Sequence, residues 1–330
     1  MTKEKGFSIS RITSLLSRYS IFVILVSVFI ISSLLNKNFL SVINLTNILR
    51  QNSVVCILAF GETMLIIAGL IDLSSGAVLA IAGVLSISVF QATGSLLIAF
   101  IVGLVVGVLF NIISGILVSV YKTPPFIATL AVTTIARGSV LLYTAGQNIY
   151  QIGSYVEFGQ GSIFSIPIPI IFMILMLILT WYILNNTRFG RSLYAIGGNE
   201  EAANASGIKV SRTKFINYVI NGFLVGLAGV IFMSRVNAGL PNAAGGYEFE
   251  ALTAAIIGGT SFSGGIGTAM GTLAGAFIVG ILNNIMNLLE VNSYVQQIIK
   301  GVIIALAVIM DIYAKNKRSQ PREISFGEAK

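Results

Sequence analysis

The chain has 330 residues, of which 55% are hydrophobic and only 10% charged, and its mean hydropathy is +0.92. A soluble domain carries about 25% charged residues, so water is not the main solvent of this chain. The formal charge of +8 comes from 20 basic and 12 acidic residues. The basic ones sit at the ends and in short loops and not on one amphipathic face, which argues against a nucleic-acid surface and makes them topology signals.

A helix needs roughly 20 apolar residues to cross about 30 Å of hydrocarbon. Barrel strands would alternate over short segments, whereas IFVILVSVFIISSLL and IPIIFMILMLILTWYIL are continuously apolar. The predicted fold class is therefore all-α: a polytopic membrane protein with about ten transmembrane helices. In chain order they cover about 20 to 36, 53 to 71, 75 to 92, 96 to 120, 125 to 146, 166 to 184, 215 to 234, 250 to 263, 268 to 289 and 296 to 313. The eighth has roughly 14 residues, and a broken or re-entrant helix beside GGTSFSGGIG stands as the alternative to a full crossing.

Lys and Arg close to spans are retained in the cytoplasm. Fifteen of the 20 basic residues fall in segments that a ten-span path puts on one side: the arm 1–19, the turn at Lys122, the loop 186–214 and the tail 314–330. The opposite loop, Gln147 to Ser165, has none. Both termini are thus expected in the cytoplasm, around a single transmembrane domain over 20–313; eight spans satisfy the same parity. A cleaved signal peptide competes for the first apolar run, but the polar arm before it and the lack of a small-x-small site after it speak against that.

Much chemistry is missing. Without histidine there is no HExxH zinc site or serine triad, and without a Gly-Lys dipeptide there is no Walker A loop. Gly-x-Ser-x-Gly is also absent. Cys56, the single cysteine, allows no internal disulfide or thiolate metal site. Neither a metal nor a cofactor is expected. Few acidic residues fall at membrane depth, Glu62 first, with Asp72, Glu250 and Asp311 within or near it; this disfavours a proton pump but leaves an ion-coupled carrier as the alternative.

Between the second and third segments, GLIDLSSG offers Asp72, Ser74 or Ser75 as a helix cap and Gly69 or Gly76 for the turn. A role for Asp72 in gating or in a substrate path is the other reading, because a half-buried carboxylate is costly unless paired or used. Shifted by 189 positions, Gly69, Asp72, Ser74, Gly76 and Ala80 fall on Gly258, Ser261, Ser263, Gly265 and Ala269, which hints at a repeat. Lys122-Thr123-Pro124-Pro125 starts the fifth helix. Arg137, 12 residues on and so about 18 Å deep, needs a partner, and Glu62 is the candidate, as a structural or a pore-lining pair. The pairs Gly103-Gly107 and Gly222-Gly226 and the series Gly267-Gly271-Gly275 are spaced for close helix packing.

The long loop reads NNTRFGRSLYAIGGNEEAANASGIKVSRTK. Asn199, Glu200 and Glu201 would cap a short helix through Ala202 and Ala203 that stops at Gly207. Taken alone, this is either an ordinary solvated connector or a docking helix.

Here the chain resembles the permeases of ATP-binding-cassette importers, specifically the ribose, xylose, arabinose and galactose permease family. The phrases that carry the resemblance are GLIDLSSGAVLA, PPFIATLAVTTIARG, FGRSLYAIGGNEEAANASGI, YEFEALTAAIIGGTSFSGGIGT and NNIMNLLEVNSYVQQIIKG. The resemblance implies a multi-pass subunit in a prokaryotic cytoplasmic membrane, without its own ATPase site. It would be paired with a second permease subunit, a cytoplasmic ATPase and an extracytoplasmic sugar-binding protein. Glu200, Glu201, Ala202, Ala203 and Gly207 would form the ATPase-coupling element.

Sugars present hydroxyls, so their path should offer amides and hydroxyls. Candidates are Asn111, Thr129, Thr133, Asn217, Asn221, Asn283, Asn284 and Asn287, alongside Glu62, Asp72 and Arg137; interhelical hydrogen bonding is the competing job for each. Outside, Glu157, Glu248 and Glu250 are candidate contacts for the binding protein, in segments that ordinary solvated loops would also resemble.

Overall fold

A computed structural model describes residues 20–319, with side chains through Tyr313. The expected arm 1–19 lies outside the described residues, as do the side chains of the basic tail from 314 and its backbone beyond 319. The chain forms α1 (Ser20–Leu35), α2 (Val42–Ile67), α3 (Ser75–Thr93), α4 (Leu96–Ser119) and α5 (Pro125–Thr144). A 3-10 turn (Gly153–Val156), the one-turn α6 (Glu157–Gln160) and a hairpin of β1 (Ser162–Ile163) and β2 (Ile166–Pro167) follow. Then come α7 (Ile168–Asn186), α8 (Arg188–Gly198), α9 (Glu200–Ala205), α10 (Val210–Arg235), α11 (Tyr247–Ile257), α12 (Ala269–Leu288) and α13 (Ser293–Ser319).

The helix ends follow local chemistry. The hydroxyls of Ser41 and Thr268 accept the N–H groups of Asn44 and Gly271 at 3.3 and 3.0 Å, capping α2 and α12. Pro125 occupies the first turn of α5, as predicted. Helix α2 stops on Gly69 at φ +72°, with the Leu70 N–H donating to Leu65 O at 2.9 Å. The same turn recurs at the end of α11, where Gly259 has φ +88° and the Thr260 N–H donates to Ala255 O at 3.0 Å. This stop is general in the chain, recurring after α9 at Gly207 with the Ile208 N–H donating to Ala203 O, so it does not by itself mark a repeat; Gly258, the expected counterpart of Gly69, has an ordinary φ of −64°.

Helix α10 lies at the centre, packed on α2, α3 and α4. Its crossings are made by glycine. A Cβ on Gly107 of α4 would collide with the backbone of Gly222 and Gly226, and one on Gly229 with the Leu79 carbonyl of α3. Gly271 and Gly275 similarly bring α12 against Gly258 and Ala254. Between membrane helices, where lipid is as apolar as leucine, this close approach supplies dispersion contact that larger side chains would prevent.

The outer face is apolar. Leu97, Ile101, Val105 and Leu109 stand exposed on successive turns of α4, and Ile174, Ile178 and Trp181 do so on α7. Facing water this would far exceed the patches soluble proteins tolerate; facing lipid it is the expected wall. Among the described residues, eight helices are long and apolar enough to cross a bilayer. Helix α1, at 16 described residues, and α11, at 11, fall below that length.

One end of the bundle gathers the α2–α3 turn, the loop between α11 and α12, and α8–α9. The Tyr194 hydroxyl of α8 donates to Gly267 O at 2.8 Å, and the Gly265 N–H donates to Ile67 O at 2.9 Å. The other end gathers the hairpin, α6 and the starts of α2, α11 and α13, with Ile149 bridging to Gly239.

Candidate functional site

The loop 186–214 folds into two helices with their own caps. The Thr187 hydroxyl accepts the Gly190 N–H at 3.0 Å to start α8, and Asn199 Oδ1 accepts the Ala202 N–H at 2.9 Å to start α9. Glu200 and Glu201 fill the first turn of α9, and Gly207 at φ +85° ends it. Lys214 of α10 pairs with Glu200 at 2.7 Å. Glu201, Ala202 and Gly207 are exposed, whereas Ala203, 4% exposed, packs with Ile196 and Val210. The two alanines thus differ: Ala203 fastens α9 to this chain, and Ala202 faces outward.

Helix α8 joins this element to the spans. Gly197 sits so close to Ile67 O and Gly265 N that a Cβ has no room, and Gly264 lies against Gly197 in turn. The backbone of α8 is thus in direct contact with the end of α2 and with the α11–α12 loop.

Four of the predicted path residues, Glu62, Asp72, Asn111 and Asn221, meet in one buried cluster, and they and Asn217 are all fully inaccessible. Asp72 Oδ1 accepts the Ser74 N–H at 2.8 Å and the Ser74 hydroxyl at 2.5 Å. Asp72 Oδ2 accepts from Asn221 Nδ2 at 2.7 Å, and Asn221 Nδ2 also reaches Asn111 Oδ1 at 3.1 Å. The Ser75 hydroxyl lies 3.3 Å from Glu62 Oε1 and 3.2 Å from Asp72 Oδ2, and Glu62 Oε2 accepts the Asp72 N–H at 3.4 Å. Asn217 Nδ2 donates to Met64 O at 2.9 Å and the Tyr218 hydroxyl to Ile71 O at 3.0 Å. Tyr218 was not singled out from sequence, and Ser75 was named there only as a possible helix cap. The arrangement ties the α2–α3 turn to α10, with Asp72 serving the turn through the Ser74 N–H.

The predicted Glu62–Arg137 pair does not form. Arg137 Nη1 donates to Pro241 O at 2.6 Å and to Ala243 O at 3.0 Å. The irregular backbone after α10 leaves these carbonyls without helix partners, and the guanidinium satisfies them. The Thr133 hydroxyl bonds Leu73 O at 2.9 Å, and that of Thr129 bonds Pro125 O at 2.9 Å within its own helix.

The three asparagines of α12 lie elsewhere. Asn284 and Asn44 exchange side-chain amide bonds at 2.8 and 3.1 Å, joining α12 to α2. Asn283 Nδ2 lies 3.4 Å from Glu250 Oε1, and Asn287 Oδ1 accepts from Gln296 Nε2 at 2.9 Å. Of the three acidic residues expected to meet a binding protein, Glu157 is exposed on α6. Glu248 accepts the Gly246 N–H at 3.2 Å and buries its other oxygen beside Gly76 without a partner. Glu250 pairs with Lys300 at 2.6 Å. Of the three, only Glu157 is exposed; Glu248 and Glu250 are partly buried.

A family profile described as "Branched-chain amino acid transport system / permease component" matches residues 44–308. The ribose import permease protein of Bacillus subtilis is 44% identical over 285 residues, covering 86% of this chain and 88% of that protein. The D-allose transport system permease protein of Escherichia coli is 36% identical over 94% of this chain and 95% of its own, and the L-arabinose transport system permease protein of the same organism is 35% identical over 96% and 95%. No solved structure matches the chain. The chain belongs to the sugar permease family of ATP-binding-cassette importers, a transport component without an ATPase site of its own.

Proposed function

We propose that this chain forms the membrane path of an ATP-driven importer for a simple sugar, working with a cytoplasmic ATPase and an extracytoplasmic binding protein, beside a second permease subunit. The observation that carries this reading is the capped, outward-presented α9 seated on α8, whose Gly197 abuts the ends of two core elements. A groove on an ATPase that grips Glu201 and Ala202 would move α9 and α8 as one body and shift the ends of α2 and α12 with them. Family membership supports the partners, and the ribose, allose and arabinose permeases named above support a sugar as cargo.

In this reading α8 and α9 face the cytoplasm of a prokaryotic cell, both termini lie on that side, and lipid covers the exposed faces of α4 and α7. Ten crossings follow if α11 and the loop after it together traverse the bilayer. Glu157 is the exposed acidic residue left to meet a binding protein. The buried cluster around Asp72 positions the turn that α8 pushes on. An ion-coupled carrier would instead use Glu62 and Asp72 as its coupling groups and would need no ATPase.

The test is affinity purification of the tagged full-length chain from its host, followed by mass spectrometry and a vanadate-sensitivity assay. Co-purification of an ATP-binding-cassette ATPase, with vanadate-sensitive hydrolysis, is expected. A chain that purifies without any ATPase from membranes in which uptake is active would overturn the reading.

A further inference from the structure

At the end of the bundle away from α8 and α9, two adjoining cavities of 330 and 190 Å³ share Glu250, Asn283 and Lys300. The larger is at the low end of the roughly 300–1,000 Å³ typical of small-molecule sites. The walls come from the starts of α2, α11 and α13 and from the later turns of α12. Lys300 and Glu250 form the only ion pair among the described residues besides Lys214–Glu200. Their side chains are 34% and 15% exposed, so the pair stands half-buried in an otherwise apolar helix bundle, where charge is retained for use. Asn52 is 3% exposed, lines the smaller cavity, and has an Nδ2 with no hydrogen-bond partner; Gly280 lies hard against its amide and leaves no room for a Cβ. Phe249 lines the larger cavity and Tyr247 the smaller.

We infer that this groove is the sugar's entry vestibule in the permease, with Glu250, Lys300, Asn283 and Asn52 as the groups that meet its hydroxyls. The inference rests on the importer reading and deepens it. A sugar hydroxyl both donates and accepts. Lys300 supplies donors, Glu250 acceptors and the two amides both, while an aromatic ring offers an apolar wall to the C–H face. The cluster around Asp72 is fully inaccessible, and its carboxylate oxygens are taken up by Ser74, Ser75 and Asn221. It is a brace beside the path, whereas the groove is open, its larger cavity walled mainly by apolar side chains and its smaller one mainly by polar ones.

The first experiment is thiol labelling in proteoliposomes of the assembled transporter. Asn283→Cys is exposed to a charged, membrane-impermeant methanethiosulfonate, with Leu109→Cys on the lipid face as the control. Native Cys56 is fully buried and gives a silent background. Asn283→Cys should label at least about tenfold faster than the control, because the reagent attacks the thiolate and needs water around it. The second experiment measures D-ribose uptake for Lys300→Met and Glu250→Gln. Uptake should fall by about ten- to a hundredfold, the loss of one hydrogen bond to a charged group. Lys300→Arg should recover part of it. Labelling of Asn283→Cys no faster than the control, or uptake within twofold of wild type in both ion-pair variants, overturns the vestibule. If the ion-pair variants fail to assemble, the labelling result alone decides. Absence of ATP-driven uptake by the wild-type assembly would be a failure of the importer reading, and the labelling comparison is read separately from it.

Discussion

Replacing Gly197 by alanine adds one methyl group at the junction between α8 and the membrane core. That methyl falls on Ile67 O and Gly265 N, atoms already joined by a 2.9 Å hydrogen bond. Backbone cannot rotate aside as a side chain can, so α8 must retreat or the bond must break. Overpacking of this kind costs about 1–3 kcal/mol. Loss of the bond adds about 0.5–1.5 kcal/mol. Gly198, the next residue, is the internal control, since nothing lies within 4 Å of a Cβ built there. Both substitutions make the helix more favourable by up to about 1 kcal/mol, so the difference between them isolates the contact. The assay is a ratio of sugar uptake to ATP hydrolysis in proteoliposomes containing all partners. Gly197→Ala should retain the ATPase and hydrolysis but lower the ratio about tenfold, as the junction loses the contact through which movement passes. Gly198→Ala should stay within twofold of wild type. Equal ratios for the two variants would refute the claim that α8 transmits movement through this backbone contact.

Other substitutions separate docking from architecture. Ala202→Leu should leave insertion and thermal stability unchanged while abolishing ATPase co-purification, because Ala202 is exposed; Ala203→Leu should cost about 1–3 kcal/mol of stability through its packing with Ile196 and Val210. Asn221→Leu removes the 2.7 Å donor to Asp72, and thermal denaturation in detergent should show a loss of about 1.5–3 kcal/mol. A double-mutant cycle on Asn44 and Asn284 should give a coupling near 0.6 kcal/mol and below about 1.7 kcal/mol, the range for interhelical polar contacts in membranes.

Hydropathy located the helices well where they face lipid and poorly where polar groups are buried inside the bundle. Helix α2 begins at Val42, well before the expected 53, because Asn44, Asn47, Arg50, Gln51 and Asn52 depress the hydropathy of a segment that is nonetheless helical. Asn44 spends its polarity on Asn284, and Asn52 turns into the groove. Helix α10 likewise starts at Val210 and not near 215. Glycine spacing identified α4 and α10 as close-packing helices, and the structure adds that their pairs pack on each other.

The site was legible in parts. Caps and a stop glycine are local signals, so the α9 helix could be read from Asn199, Glu200 and Gly207. The burial of Ala203 against Ile196 and Val210 is a tertiary fact with no local sign. Arg137 was paired with Glu62 because both are charges in apolar segments, but a sequence does not show that Pro241 and Ala243 would leave carbonyls within reach. Lys300, Gln51 and Gln296 were overlooked because each lies near an expected helix end, where solvent is the ordinary destination. Only folding brings Lys300 onto Glu250 and Gln296 onto Asn287.

The most direct test of the central claim is uptake of radiolabelled D-ribose into proteoliposomes holding this chain, its ATPase and its binding protein, with and without ATP. The account predicts accumulation that requires ATP and both partners and is stopped by vanadate, with other simple sugars tried in turn if ribose is not the cargo. Uptake by the chain alone, driven by an imposed ion gradient and indifferent to ATP, would contradict it.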